Sequence, residues 1–213
     1  MTQSEIVYDY LKNQYSPNEP IFLSDIDIPE VKAVSVRQQL KKLVEDGRVK
    51  RFDTGVYYLP MESVFRSGST LSVDDVIRKK YLQDGDKCCG FVSGVMFANR
   101  IGITTQVPAI YEITTNKATT DYRETKLGNI RIIIRKPYVE VSDDNVHVLQ
   151  FLDLMKEVVD VSEIEGSDLT KRLTAYMKRI GIDFDMLKPY LSSYPERIYR
   201  NMYEVGLLNG IST

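Results

Sequence analysis

The sequence predicts an α+β protein in two parts, and three observations predict it. The stretch up to Pro60 orders helix-like and strand-like patterns and ends in a hairpin signature, Asp53-Thr54-Gly55 between Arg48–Phe52 and Val56–Leu59. Residues 110–115 alternate apolar and polar side chains, and residues 130–134 are mostly β-branched, so a small sheet follows. The chain then closes in apolar patterns of helical period from residue 142 onward.

The N-terminal elements come first. Residues 4–14 read as a helix with Ile6, Val7, Tyr10 and Leu11 on one side. Ile21-Phe22-Leu23 is a short apolar run. Ser24 opens a second helix that Pro29 interrupts. The third helix starts at Ser35, an N-cap with Gln38 in the capping-box position. Its apolar face is Val36, Leu40, Leu43 and Val44, and Gly47 stands where a C-cap belongs. Gln38, Lys41 and Lys42 fall on the opposite face with Arg37 at its flank. Helix, strand, helix, helix and two-stranded hairpin is a winged helix-turn-helix order, in which the third helix enters the major groove and the wing follows the backbone. The DNA-binding candidates are therefore Lys32, Ser35, Arg37, Gln38, Lys41 and Lys42 on the helix, with Lys50, Arg51 and Thr54 on the wing. A solvated helix face is the plain alternative. Asp25, Asp27 and Glu30 argue against DNA contact from the second helix.

This domain spans residues 1–62. A Ser- and Gly-bearing linker covers 61–70, and an α+β domain with a helical tail spans 70–213. In the latter, helices are expected at 73–82 with Ser72 as cap and at 91–100 with Gly102 as stop, and Gly94 is read as a close-packing position between helices. Ser142 opens a longer helix with core residues Val148, Leu149, Leu152, Met155 and Val159. Leu169, Leu173, Tyr176, Met177 and Ile180 mark another, and 184–191 and 195–207 close the chain.

Composition narrows the function. With 43% hydrophobic and 27% charged residues the chain is globular, and its net charge of -2 requires any nucleic-acid contact to come from a local patch. No leader-like or membrane-spanning run is present, and the cysteines are the adjacent pair Cys88-Cys89, so a reduced cytoplasmic protein is expected. His147, the one histidine, lies on a polar helix side, and one histidine with two adjacent cysteines is poor material for zinc. No catalytic residue, metal or cofactor is expected. A second basic surface is a candidate: Arg131, Arg135 and Lys136 along one strand, with Lys79, Lys80, Arg100 and Arg123. Scattered surface charge is its alternative; contact with flanking DNA, an RNA or a nucleotide is the functional one. Glu124-x-Lys126, with Asp121 and Glu112 upstream, has the spacing of metal-dependent nucleases, in which carboxylates hold Mg²⁺ and a lysine steadies the phosphate. In a polar run between strands, a solvated loop is the expectation for it.

Four segments carry a family resemblance: "LKKLVEDGRVKRFDTGVYYLP", "GFVSGVMFANRIGITTQVPAIYEITTN", "LGNIRIIIRKP" and "DDNVHVLQFLDLM". In this order they resemble the AbiEi antitoxins of type IV toxin–antitoxin systems, also described as regulators of viral defence. The resemblance covers residues 1 to about 160. It implies a winged helix that represses its own operon at inverted repeats, with DNA contacts at Arg37, Gln38, Lys41 and Lys42. It also implies a C-terminal domain that counteracts a nucleotidyltransferase-like AbiEii toxin without a stable complex. Two other readings remain open at this point: a solitary regulator whose C-terminal domain senses a small molecule, and a nuclease or restriction-type subunit.

Overall fold

The computed structural model describes residues 2–29, 31–61 and 70–208. The chain is α+β and divides into two compact units, residues 1–80 and 81–213. The expected linker falls almost wholly outside the described residues, and the helix after it, Val73–Ile77, groups with the N-terminal unit.

In the first unit, α1 (Gln3–Gln14) opens with a capping box. Thr2 Oγ1 accepts from the Glu5 amide at 3.3 Å, and Thr2 N donates to Glu5 Oε2 at 2.7 Å. β1 (Ile21–Phe22) leads into a single 3₁₀ turn, Leu23–Asp25. The helix expected from Ser24 is thus reduced to that turn; the residue preceding Pro29 is disfavoured in the α region, and acidic Asp25 and Asp27 stay exposed. α2 (Ala33–Glu45) starts two residues before Ser35. Its N-cap is Lys32, whose carbonyl accepts from Val36 N at 3.1 Å, so Ser35 lies inside the first turn and no capping box forms there. Gly47, at φ +73°, ends the helix as expected; Gly47 N and Arg48 N reach back to the carbonyls of Val44 and Leu43. β2 (Lys50–Asp53) and β3 (Val56–Tyr58) follow, giving an antiparallel sheet of order β1-β3-β2. Val7 and Leu11 of α1 pack with Val36, Leu40 and Leu43 of α2, Ile21, Ile28, Val49 and Leu59 into one core. α3 (Val73–Ile77) continues as a π turn, Arg78–Leu82.

The second unit begins with a short hairpin, β4 (Gln83–Asp84) and β5 (Lys87–Cys88). β6 (Gly90–Ser93) then precedes α4 (Gly94–Ile101). The helix expected over 91–100 is therefore strand in its first part. Phe91 and Val92 make a short apolar run whose period cannot separate buried strand from buried helix, and Gly94 at φ +64° breaks the two apart. β7 (Ile110–Thr115), β8 (Tyr122–Leu127) and β9 (Ile130–Arg135) complete a four-stranded sheet of order β6-β7-β9-β8. β7 and β9 run parallel, and the outer pairings are antiparallel. The polar run 121–126 is thus mostly an edge strand rather than a loop. Its charged side chains are what an exposed edge tolerates, because they discourage pairing with another chain.

Register partners share a face. Ile113, Ile132, Ile134 and Leu127 form a buried face, and Arg131, Ile133 and Arg135 stand on the other beside Glu112 and Glu124. α5 (Val146–Met155) packs on β6. It begins after Asn145, whose Oδ1 accepts from Ser142 N at 2.8 Å, so Ser142 belongs to the preceding turn. The chain breaks again before α6 (Val158–Val161), which buries Val158 and leaves Val159 45% exposed, contrary to the expected core face. α7 (Gly166–Ile180), α8 (Phe184–Leu191) and α9 (Arg197–Glu204) close the unit. Phe91, Phe97, Leu149, Phe151, Leu152, Leu173, Leu187 and Ile198 are among its core residues. Among the described residues no helix is long and apolar enough to cross a membrane.

Candidate nucleic-acid interface

Four of the side chains chosen on α2 form one exposed stretch. Arg37, Gln38, Lys41 and Lys42 are exposed, while Val36, Gln39, Leu40 and Leu43 turn inward. The division follows from the 100° step: the four exposed positions repeat at three and four residues. Lys32 is exposed at the helix start and Ser35 is half-buried. Lys41 faces Glu45 at 3.9 Å, with side chains 81% and 62% exposed. A solvated pair at that distance is weak and leaves the lysine available to a phosphate. Sequence reasoning passed over Val34, which is 64% exposed in the first turn and occupies the same helix side as Arg37 and Gln38.

The hairpin beside α2 is held by its own polar groups. Arg51 donates to the Asp53 carbonyl at 3.2 Å and to Thr54 Oγ1 at 3.1 Å, and Thr54 N donates to Asp53 Oδ1 at 2.7 Å. Two of the wing candidates, Arg51 and Thr54, therefore brace the turn, and Arg51 remains exposed. Lys50 pairs opposite Tyr58 and is half-buried. Arg48 lies over the Tyr8 ring at 3.8 Å from its centroid, which ties the start of the hairpin to α1 by a cation–π contact.

The second basic set is divided by the structure. Lys79 and Lys80 belong to the N-terminal unit, where Lys79 holds Glu19 at 2.7 Å and lies over Tyr15. In the other unit, Arg131 pairs with Glu124 at 3.0 Å and Arg135 with Glu112 at 3.2 Å. Arg123 is the register partner of Ile134 and so stands on the opposite sheet face from both. Arg100 is exposed in the last turn of α4, and Lys136 is exposed just after β9.

Sequence reasoning did not foresee a charge cluster in the second unit. Asp153 is 3% exposed, and Lys156 Nζ holds its Oδ1 at 2.6 Å. Burial pushes the Asp153 carboxyl up, against the pull of Lys156. Glu157 is pushed up to about 6, first by burial and then by the charges of Glu112 and Asp153. The signal available was Asp153 itself, a charged residue inside the otherwise apolar stretch 151–155 of α5. Folded Glu157 keeps its proton to a higher pH than the unfolded chain does. The folded state therefore binds more protons between the ordinary glutamate value near 4.5 and about 6, and stability falls as pH rises through that window. Glu157→Gln is expected to be more stable than the parent at pH 8 and to lose that advantage below pH 4.5. Urea midpoints of both proteins across this range check it; a constant difference at all pH values would refute the assignment.

Glu124 and Lys126 alternate on β8 on the face of Glu112, with Ile133 of β9 between the two glutamates. Glu124 accepts from Tyr122 Oη at 2.5 Å and from Arg131, and these hydrogen bonds hold its carboxyl below the usual range. Asp121 lies outside the strand. Among the described residues no three carboxylate, histidine or cysteine side chains gather as metal ligands. His147 is exposed. Cys88 is half-buried with its Sγ 3.4 Å from the Gly90 carbonyl, and burial pushes the Cys89 thiol up. No protein-family model matches the chain, and no curated protein matches it either.

Proposed function

We propose that the protein is a cytoplasmic, non-enzymatic antitoxin of a type IV, AbiE-like toxin–antitoxin system that also binds double-stranded DNA as repressor of its own operon. The N-terminal unit acts as a winged helix-turn-helix. α2 is the helix that enters the major groove, and β2–β3 is the wing. The observation that carries this reading is the exposed row Arg37, Gln38, Lys41 and Lys42 on a helix whose other face is fixed in the core. Lysines at exposed helical positions reach phosphates, and Arg and Gln near the helix start pair bidentately with guanine and adenine. The 3₁₀ turn at Leu23–Asp25 stands where the helix preceding the reading helix would be, and its exposed Asp25 keeps that edge away from phosphates. A symmetric pair of such units matches inverted repeats in the promoter.

The C-terminal unit counteracts a nucleotidyltransferase-like toxin without forming a stable complex with it. A fragment of residues 67–213 is expected to rescue cells from that toxin and to leave the promoter unrepressed. Growth and reporter assays in one strain test both halves of the reading. Loss of rescue by a fragment with native circular dichroism would count against a modular antitoxin. A second reading, a solitary regulator whose C-terminal unit senses a small molecule, is favoured by a polar cleft in that unit. Operator affinity that changes with a metabolite, in an operon without a toxin gene, would select it.

A further inference from the structure

The C-terminal unit holds a polar cleft of about 380 Å³ bounded by the ends of β7 and β9, the loop after β9, and the last turn of α5 with the residue that follows it. That volume is in the range of small-ligand sites, roughly 300–1,000 Å³. The cleft lies at the carboxyl ends of two neighbouring parallel strands, where Thr114 and Arg135 are register partners.

The wall is rich in N–H donors. Arg135, Lys136 and Lys156 line it, together with the carboxylates Asp121 and Asp153. The two carboxylates differ. Asp153 is buried and its charge is met by Lys156 at 2.6 Å, whereas Asp121 is exposed to solvent. Arg135 gives one nitrogen to Glu112 at 3.2 Å and keeps 39% of its side chain exposed. A guanidinium has five N–H donors and an ammonium three, so both residues retain donors after these pairings. Lys136 is exposed and has no carboxylate within ion-pair distance among the described residues. At the rim, Tyr138 is 50% exposed. Its ring is steadied by Tyr194 at 4.8 Å and by Lys156 at 5.2 Å.

We propose that this cleft binds a phosphate monoester no larger than a mononucleotide, with the phosphate oxygens on Arg135, Lys136 and Lys156 and the planar group beside Tyr138. Buried Asp153 and half-buried Glu112 act as positioning residues that hold two of the cations in place. A free phosphate ion and a nucleotide share the first contact, and only the nucleotide uses the second. The site is independent of the DNA-facing helix, so it can stand if the repressor reading falls.

Isothermal titration of the full chain tests it with inorganic phosphate, each of the four ribonucleoside monophosphates, and adenosine as the uncharged probe. Saturable binding of at least one monophosphate is expected, with none for adenosine. Lys136→Ala, an exposed position, should weaken that binding about tenfold, the loss of one charge-assisted contact. Tyr138→Ala should weaken the nucleotide and spare inorganic phosphate. Lys171→Ala, exposed on α7, should change nothing. Absence of saturation by every anion up to about 10 mM, tenfold weaker than a millimolar site, would overturn the proposal. So would binding that survives Lys136→Ala and Lys156→Ala in folded protein.

Discussion

Replacing Arg37 and Lys41 together by alanine is expected to lower affinity for the operator by about 100-fold at moderate salt and to flatten its salt dependence. The two losses are of different kinds. Lys41 is deep in the exposed row, 81% exposed, with Glu45 at 3.9 Å beside it. As a phosphate contact it contributes counterion release, so its removal should reduce the slope of log affinity against log salt by about one. Arg37 stands in the second turn, near the end of the helix that the proposed binding mode brings to base edges. A bidentate contact from there is worth about 1–3 kcal/mol of discrimination, so Arg37→Ala should also relax base preference at one position. Neither side chain contributes to the core, and stability should change by no more than about 0.5 kcal/mol. Fluorescence anisotropy on promoter DNA at several salt concentrations reads both effects. Parental affinity and slope in a natively folded double variant would remove α2 from the interface.

Gly94→Ala is expected to destabilise the C-terminal unit by about 2–4 kcal/mol, combining left-handed backbone strain with overpacking. Gly94 has φ +64°, and a Cβ built there would lie 2.5 Å from Glu112 Oε1 and 2.8 Å from its Cδ. The glycine thus lets a strand side chain pass close to the start of α4, rather than letting two helices meet. Glu112 is the side chain that holds Arg135, so the close approach also orders the polar sheet face. The two contributions separate in a double-mutant cycle. In a Glu112→Ala background the carboxyl is gone and only the Cβ at position 112 stays close, at 3.3 Å, so the remaining cost should be mainly the backbone strain of about 1–2 kcal/mol. Urea unfolding of the four proteins measures it. An equal penalty in both backgrounds would show that Glu112 does not set the glycine requirement.

These two sites illustrate what could be read beforehand. The exposed row on α2 was legible because helical period alone assigns Arg37, Gln38, Lys41 and Lys42 to the side away from Val36, Leu40 and Leu43, and Gly47 marks where the period stops. The start of that helix was not legible. Ser35 has the chemistry of an N-cap, but capping is a choice among nearby residues, and the chain begins its helix after Lys32 instead. The same preference for a cap misplaced the start of α5 at Ser142, where Asn145 organises the turn.

Local pattern by itself determined the β-branched strand Ile130–Arg135, the alternating strand Ile110–Thr115, the hairpin at Asp53-Thr54-Gly55 and the tail helices with their apolar faces. Each of these depends on interactions between residues a few positions apart, which the order of residues states directly. Tertiary structure decided the rest. It made Gly90–Ser93 a strand by pairing it with β7, and turned the polar run around Glu124 into a sheet edge by pairing it with β9. It also set Glu112, Arg135, Asp153, Lys156 and Glu157 against one another, from segments up to 45 residues apart. Strand pairing and buried charge depend on which distant segments meet. That choice is made by the burial of Phe91, Leu149, Phe151 and their neighbours in a common core, whose energy is shared among many non-local contacts and written at no single position.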